Sequence, residues 1–159
     1  MIWRDFEAAA PTLAELGRAR FERSGVAVLA TLRRDGSPRI SPVEPHVVLG
    51  HLLFGIMRSV KRDDLLQDPR SAIHSAISDP NGSDGEFKVH GRAELILDPL
   101  IRDGAYEAWW RAFPAEASHV FSMDIESAAF LQWDFKRAEL AVESWSVEHG
   151  LRKSRRPYP

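Results

Sequence analysis

The chain has 159 residues, a formal net charge of −2 and no cysteine. This length fits one domain over residues 1–159, and the lack of cysteine excludes disulfides, thiol catalysis and cysteine-based metal sites. The slight negative charge argues against a nucleic-acid-binding protein. Because no apolar run reaches the roughly 20 residues that span a bilayer, and the first residues lack the apolar core of a secretion signal, we expect a cytoplasmic protein that binds neither nucleic acid nor membrane.

The first 48 residues predict one helix and two strands. Residues 1–10 read as a loose N-terminal lead-in, and apolar spacing then predicts a helix over Thr12–Arg23. Val26–Leu32 is apolar on both faces, which is typical of a central strand, and Asp35-Gly36 predicts a hairpin turn. The following strand, residues 37–48, carries three prolines. Since proline cannot donate to a ladder, this strand should be irregular, bulged or at an edge.

A basic cluster follows where a strand gives way to a helix. The apolar strand His51–Met57 breaks at Arg58, and a short helix is predicted from Ser59 to Asp68, because a residue before proline avoids the helical region. The cluster consists of Arg58, Ser59, Lys61 and Arg62. A helix start offers free N–H groups and partial positive charge, which suit phosphate. The pattern therefore suggests a phosphate site; the alternative is a solvated helix face with a serine cap.

The second half of the chain predicts more strands around one helix. Strands are predicted at Ser71–Ser78, Glu86–Leu97, His119–Ile125, Ala128–Asp134 and Glu139–Trp145. The glycine inside Glu86–Leu97 indicates a bulge or a close backbone approach. A helix starts at Asp98-Pro99, lines one side with Ile101, Ala105, Trp109 and Phe113, and stops at Pro114. The basic C-terminal tail, residues 149–159, is either a binding segment or disordered.

These elements favour one class of fold. Six or seven strands and three helices occur without regular βαβ alternation, which argues against a parallel doubly wound sheet. A small antiparallel barrel with peripheral helices, mainly β in an α+β arrangement, fits best.

The residues show no obvious acid, base or nucleophile, so no catalytic residue is assigned. Neither GxxxxGKS, GxGxxG nor GxSxG occurs. None of the six histidines has another at i+3 or i+4, so no metal site is expected. Such a pattern fits a protein whose reactive group belongs to a bound cofactor.

Three segments, in this order, carry a resemblance to a known family: GVAVLATLRRDGSPRISPV, LLFGIMRSVKRDDLLQDPRSAI and EFKVHGRAELI. Together they resemble the pyridoxamine 5′-phosphate oxidase-like split-barrel flavoproteins. The resemblance implies a six-stranded antiparallel split β-barrel. It also implies a homodimer with FMN, or in some relatives the deazaflavin F420, in a groove between the subunits.

The resemblance also implies a set of cofactor-binding residues. The basic residue on the second strand matches Arg39, with Ser41 beside it, and the strand end along the cofactor matches Ile56 and Met57. The phosphate-binding S-x-K matches Ser59 and Lys61, flanked by Arg58 and Arg62. A tryptophan followed ten residues later by a flavin-contacting arginine matches Trp145 and Arg155.

Several positions depart from the family pattern. Leu151 falls on the first position of the Arg-x-His pair that holds the substrate phosphate in the oxidases proper, which argues against oxidation of pyridoxamine phosphate. Glu86 replaces a glutamine near the flavin, and Glu44-Pro45 replaces an aromatic or apolar pair. Asp64 replaces a frequent asparagine and would weaken phosphate binding unless it is turned away.

The resulting prediction is an FMN-dependent oxidoreductase that acts on a small substrate. One alternative is an F420-dependent reductase, since the acidic tail of F420 would suit the C-terminal basic residues Arg152, Lys153, Arg155 and Arg156. Another is a non-catalytic carrier of FMN, F420 or haem. A haem protein would need an axial ligand, for which His46 and His90 are candidates.

Overall fold

The computed structural model describes residues 1–110 and 118–157, which contain nine strands and four α-helices. The helices are α1 (Trp3–Ala9), α2 (Pro11–Ser24), α3 (Val60–Gln67) and α4 (Pro99–Ala105), and a single π-helical turn (Tyr106–Trp110) follows α4. The strands are β1 (Ala27–Leu32), β2 (Pro38–Val43), β3 (His46–Val48), β4 (His51–Met57), β5 (Arg70–Ser75), β6 (Glu86–Leu95), β7 (Ser118–Asp134), β8 (Glu139–Ser146) and β9 (Gly150–Pro157). Within these ranges, none of the helices combines the length and the apolar composition that a membrane span requires.

The sheet is a split barrel whose two edge strands, β2 and β3, are consecutive parts of one stretch of chain. Its order is β2-β1-β5-β6-β7-β4-β3, with β8 and β9 added beyond β7, and every pairing is antiparallel. Since β2 and β3 are two parts of one stretch interrupted at Glu44-Pro45, they count as one strand. The barrel then has six strands, which confirms the predicted six-stranded split β-barrel.

The core follows the alternation of the strands. On β4, Leu52, Phe54 and Ile56 are at most 1% exposed and face the barrel interior. Phe54 stacks on Phe121 of β7 with 5.9 Å between ring centroids. The opposite face of β4 is also covered, because Leu53 packs with Ala105 of α4. Apolar residues on both faces of β4 are therefore explained by the helix outside the barrel.

Helix α4 begins where it was predicted. The Asp98 carboxylate accepts a hydrogen bond from the Leu100 backbone N–H at 2.8 Å, which caps the helix. Ile101 and Ala105 pack on the outer face of the sheet. The side chain of Trp109, together with Phe113 and Pro114, lies outside the described residues.

The N-terminal lead-in is not loose, so that prediction is wrong. Residues Trp3–Ala9 form α1, and Trp3 and Phe6 are fully buried. The Trp3 ring contacts the Phe6 ring edge-on at 5.4 Å and the Phe87 ring at 6.2 Å. An isolated helix of this length is unstable in water; burial of its two aromatic side chains against the barrel stabilises it.

The C-terminal segment is a strand, so disorder is also wrong. Strand β9 pairs with β8 along its whole length. Lys153 forms an ion pair with Glu143 at 2.9 Å, and Arg155 forms one with Glu139 at 3.2 Å. The tail is therefore ordered because it pairs with the edge of β8 and because ion pairs join the two strands.

The predicted division of residues 119–134 into two strands is wrong. These residues form one long strand, β7, because Glu126, which has no partner residue on β6, is accommodated as a bulge. The prolines of residues 37–48 place β2 at a sheet edge, as predicted. The glycine in β6 marks a bulge, also as predicted: the register shifts between His90 and Gly91. A Cβ on Gly91 would lie 1.9 Å from the Asp124 carbonyl oxygen, so only glycine fits there.

Candidate functional site

A cavity of about 300 Å³ lies in the split of the barrel, and we call it the split cavity. Its lining residues are Val26, Pro42, Val43, Glu44, Gly55, Met57, Arg58, Ser59 and Lys61. Strand β2 pairs only with β1, and β4 pairs with β3 only over residues 51–53, so no ladder joins β2 to the end of β4 in the described ranges. The cavity occupies this gap, next to the first turn of α3.

Ser59 is the N-cap residue of α3, but its side chain does not cap the helix. Its backbone is extended, with φ −163° and ψ 165°, and no cap hydrogen bond involves its hydroxyl. The Ser59 Oγ atom is buried and has no hydrogen-bond partner in the part of the chain that the structure describes. A buried hydroxyl without a partner costs about 1–3 kcal/mol. A bound acceptor would remove this cost, so the geometry favours an anion site over a serine cap.

Lys61 places a partly desolvated cation at the same cavity. Its Nζ atom donates a hydrogen bond to the Pro42 carbonyl oxygen at 3.2 Å. Burial lowers the pKa of the Lys61 ammonium group. Because desolvation disfavours the charged form, an anion that enters the cavity would restore the favourable environment of the ammonium group.

Arg39 is already paired with a carboxylate. Its Nε atom donates to Asp64 Oδ2 at 2.6 Å, and the Thr31 hydroxyl donates to the same oxygen at 3.2 Å. Asp64 is only 8% exposed. Asp64 therefore faces Arg39, and neither residue lines the split cavity. Asp64, the acidic residue that departs from the family pattern, is therefore neutralised by Arg39, which belongs to the same predicted cofactor site.

Four of the ten predicted cofactor residues line the split cavity: Met57, Arg58, Ser59 and Lys61. Arg62 forms an ion pair with Asp63, its Nε atom lying 2.9 Å from Asp63 Oδ1. Ile56 faces the barrel core, and Ser41 lies opposite Leu29 on β1. The structure thus brings together the strand end and the helix start, but not the whole predicted set.

Trp145 and Arg155 lie elsewhere in this chain. Trp145 is 5% exposed and contacts the Phe6 ring at 5.2 Å, so it belongs to the core. Arg155 is paired with Glu139 on the outer hairpin. In the β8–β9 ladder, Trp145 lies opposite Leu151, and Arg155 lies opposite Ala141. The two residues are therefore four residue pairs apart along the ladder.

Some lining residues had not been identified as site residues. Glu44 contributes a carboxylate to the cavity, Gly55 lines it from β4, and Val26 lines it from the position just before β1. The glycine inside a strand was the available signal for Gly55, because such glycines mark close approach. Nothing local distinguished Val26, which lines the cavity only because β1 lies next to β2.

His119 is a further residue without a sequence signal. It pairs with Ile56 across the β4–β7 ladder, and its Nδ1 atom is buried without a partner among the described residues. Desolvation, followed by the charges of Arg62 and Arg58, lowers the pKa of His119. In the described ranges, no group of three or more His, Asp or Glu side chains could hold a metal ion.

Comparison with known proteins gives one family match. Residues 13–141 match the family model described as pyridoxamine 5′-phosphate oxidase. No curated protein sequence matches the chain.

Several solved structures share the fold. An FMN-binding protein related to pyridoxamine 5′-phosphate oxidase, from Nostoc punctiforme, is 17% identical; the match covers 92% of this chain and 95% of that one, with a TM-score of 0.64. A heme-binding protein from Mycobacterium smegmatis is 15% identical, with 90% and 88% covered and a TM-score of 0.60. A NimC/NimA family protein from Clostridium acetobutylicum is 16% identical, with 88% and 94% covered and a TM-score of 0.57.

Proposed function

Because the chain belongs to the pyridoxamine 5′-phosphate oxidase family, we propose that it is an oxidoreductase that binds FMN in the split cavity and acts on a small substrate. The observation that carries this proposal is the buried Ser59 hydroxyl, which has no partner in the described ranges and lies at a helix start beside Lys61. FMN-binding proteins occur among the structures with this fold.

The donors at this site fit a phosphate monoester. The free N–H groups of the first turn of α3 and the Ser59 hydroxyl would donate hydrogen bonds to phosphate oxygens. Lys61 would supply a positive charge at the same place. Val26, Val43 and Met57 offer an apolar surface beside these donors, suited to a flat ring. When bound, FMN would supply the hydride or electron transfer, while the protein holds it and excludes water.

We propose a homodimer because apolar side chains next to the cavity are exposed. Val28 is 39% exposed and Ile40 is 73% exposed, on the outward faces of β1 and β2. Met57, at the cavity, is 56% exposed. Contiguous exposed apolar surface is typical of an interaction site, and a second copy of the chain is the proposed occupant. The variant Ile40→Glu should shift the oligomer to monomer in size-exclusion chromatography with light scattering; an unchanged dimer would place the interface elsewhere.

The alternatives have weaker support in the structure. For F420, two of the four basic tail residues, Lys153 and Arg155, are already paired with glutamates. For haem, burial lowers the pKa of the His46 imidazole and favours the neutral form that ligates iron, but neither His46 nor His90 lines the split cavity. The visible absorbance spectrum of the purified protein distinguishes the three cofactors, because flavin, deazaflavin and haem absorb differently.

The direct test compares FMN with riboflavin, which lacks the phosphate. We expect Lys61→Ala to lower FMN affinity by more than tenfold, about 1.4 kcal/mol, and to leave riboflavin affinity unchanged. Ser59→Ala should act in the same direction. Lys136→Ala, which removes an exposed cation from a distant turn, is the matched control. Equal losses for both ligands, or no loss for FMN, would contradict a phosphate site at Ser59 and Lys61.

A further inference from the structure

Two histidines lie on the same outer sheet face as the exposed apolar side chains of the proposed dimer. One row of aligned residues runs from Val28 of β1 to His74 of β5 and Lys88 of β6. The next row runs from Ile40 of β2 across β1 and β5 to His90 of β6. Residues aligned across a sheet point to the same side, so the imidazoles and the apolar side chains share one surface. We call the outward residues of β2, β1, β5 and β6 the histidine face.

Glu86 is the carboxylate at the centre of the histidine face, and two basic groups face it. Its Oε2 atom lies 3.6 Å from His74 Nε2, and its Oε1 atom lies 3.9 Å from Lys88 Nζ. His74 Nδ1 lies 2.8 Å from the Ser75 carbonyl oxygen. Because a carbonyl oxygen only accepts hydrogen bonds, Nδ1 carries the proton of the neutral ring. The other ring nitrogen, which faces Glu86, is therefore the one that gains a proton in acid.

His90 lacks such a carboxylate. It is a diagonal neighbour of His74 and follows Lys88 by two residues on β6. The Ser127 hydroxyl lies 3.4 Å from its Nδ1 atom, and the next residue in the row is the uncharged Ser146. Desolvation, followed by the positive charges of Lys88 and His74, lowers the pKa of His90. Among the ion pairs of the described residues, none involves this imidazole.

The other charges around the histidine face do not supply a carboxylate for His90. Four basic side chains border the face: Arg70 on β5, Arg92 on β6, and His149 and Arg152, which line one cavity with His90. Three of them have an acidic residue beside or opposite them: Asp68 for Arg70, Asp124 for Arg92 and Glu148 for His149. Glu126, in the β7 bulge, is exposed and pairs with neither histidine of the face in the described ranges. In these two rows, β1 and β2 contribute only uncharged residues.

We infer that the histidine face makes the proposed dimer sensitive to acid: two copies pack through this face while His74 and His90 are neutral, and they separate when both are protonated. This inference rests on the homodimer proposed above. In a twofold interface the same surface of each copy meets itself. With neutral imidazoles, Glu86 and Lys88 balance each other. Protonation adds two positive charges to each copy without a further carboxylate, and the buried like charges repel.

The direction of the pH effect follows from proton linkage. An imidazole that is buried between two such faces binds a proton more weakly than an imidazole in water. Proton binding therefore favours the separate chains. The dimer should be stable above the ordinary histidine pKa of about 6.5 and should weaken below it. Carboxylates, whose ordinary pKa is about 4, stay ionised over this range, so Glu86 keeps its charge.

The test is sedimentation velocity of the full-length protein at low salt, from about pH 8 to about pH 5, a range in which histidine is the side chain that ordinarily titrates. The dissociation constant of the dimer should rise about 100-fold or more, because several protons bind as the copies separate. Circular dichroism at each pH should be unchanged, which would show that the chains separate without unfolding.

The double variant His74→Gln with His90→Gln is the decisive comparison. Glutamine keeps hydrogen-bonding groups but does not gain a proton in this range, so this variant should stay dimeric in acid. His51→Gln is the matched control, because His51 lies on β4, outside the histidine face, where it contacts Ser122. It should dissociate in acid as the wild type does. Unchanged circular dichroism would show that the variants fold.

Glu86→Gln tests the charge balance itself. It leaves Lys88 without its carboxylate, so the dimer should dissociate at a higher pH than the wild type. A wild-type dimer whose dissociation constant does not change with pH, or a histidine double variant that dissociates as the wild type does, would overturn this inference and leave the homodimer standing. A wild type that is monomeric at the alkaline end would overturn the homodimer and this inference together.

Discussion

The Arg39–Asp64 pair allows a prediction in which stability and cofactor affinity change in opposite directions. Asp64→Asn removes a carboxylate that Arg39 contacts at 2.6 Å and Thr31 at 3.2 Å. Asparagine keeps an oxygen that can accept from both, but not the charge. Breaking a fully buried pair costs about 3–5 kcal/mol. Because the Arg39 side chain is 23% exposed, and one acceptor remains, we expect a loss of about 2 kcal/mol, or about 4–8 °C in Tm.

The same change should tighten FMN binding. Asp64 follows Ser59 by five residues, which is about 7.5 Å along the helix. A unit charge about 8 Å from a phosphate charge contributes about 1 kcal/mol at an effective dielectric constant of about 40. Removal of this repulsion should raise FMN affinity about fivefold at low salt, and added salt should reduce the gain. Riboflavin affinity should not change.

Thermal unfolding and fluorescence titration measure the two effects on one preparation. Asp63→Asn is the matched control, since it removes a charge from the same helix at a side chain that is 60% exposed. It should barely change Tm and should raise FMN affinity less. If Asp64→Asn weakens FMN binding, the Arg39–Asp64 pair is itself part of the phosphate site, and the electrostatic reasoning given above is refuted.

Three further predictions concern the fold. Trp3→Ala should lower the free energy of unfolding by about 3–5 kcal/mol, measured by urea denaturation, because this side chain is fully buried; a change below about 1 kcal/mol would show that α1 detaches in solution. Gly91→Ala should destabilise the protein by more than about 2 kcal/mol, since the added Cβ would lie 1.9 Å from the Asp124 carbonyl oxygen, and equal Tm values would show that the bulge relaxes freely. Hydrogen bonds from the side chain and the backbone N–H of Arg70 lower the pKa of Asp68 to about 2; this favours the folded state above the ordinary pKa and is lost as pH falls towards 2. Arg70→Ala removes the side-chain bonds and keeps the backbone N–H, so an NMR titration should find the Asp68 pKa raised part of the way towards its ordinary value of about 4, and an unchanged pKa would show that the guanidinium does not lower it.

Local signals predicted most of the secondary structure. Proline before a strand, glycine after a helix and apolar alternation are short-range features, and they predicted α2, β1, β4 and α3 to within a residue or two. The predictions failed for segments whose order depends on distant partners. Helix α1 is ordered by aromatic burial against β6, and β9 is ordered by the edge of β8.

The candidate site, like the fold, could be predicted only in part from the sequence. The basic cluster after β4 was visible in the sequence because Ser59 and Lys61 stand at a junction between a strand and a helix. Its composition by itself allowed either a capped, solvated helix or an anion site. The unpartnered Ser59 hydroxyl and the desolvated Lys61 favour the anion site, and both depend on what packs around them.

Periodicity and turn residues act over a few neighbouring positions, so the linear sequence was enough to predict a mainly antiparallel barrel with a cationic helix start. Which of those cations are available depends on the folded structure. Arg39 is neutralised by Asp64 across 25 residues, Lys61 reaches Pro42 at the split, and Arg152 is left without a carboxylate partner in the described ranges. Electrostatic pairing depends on distance in space, which the linear order of residues does not reveal.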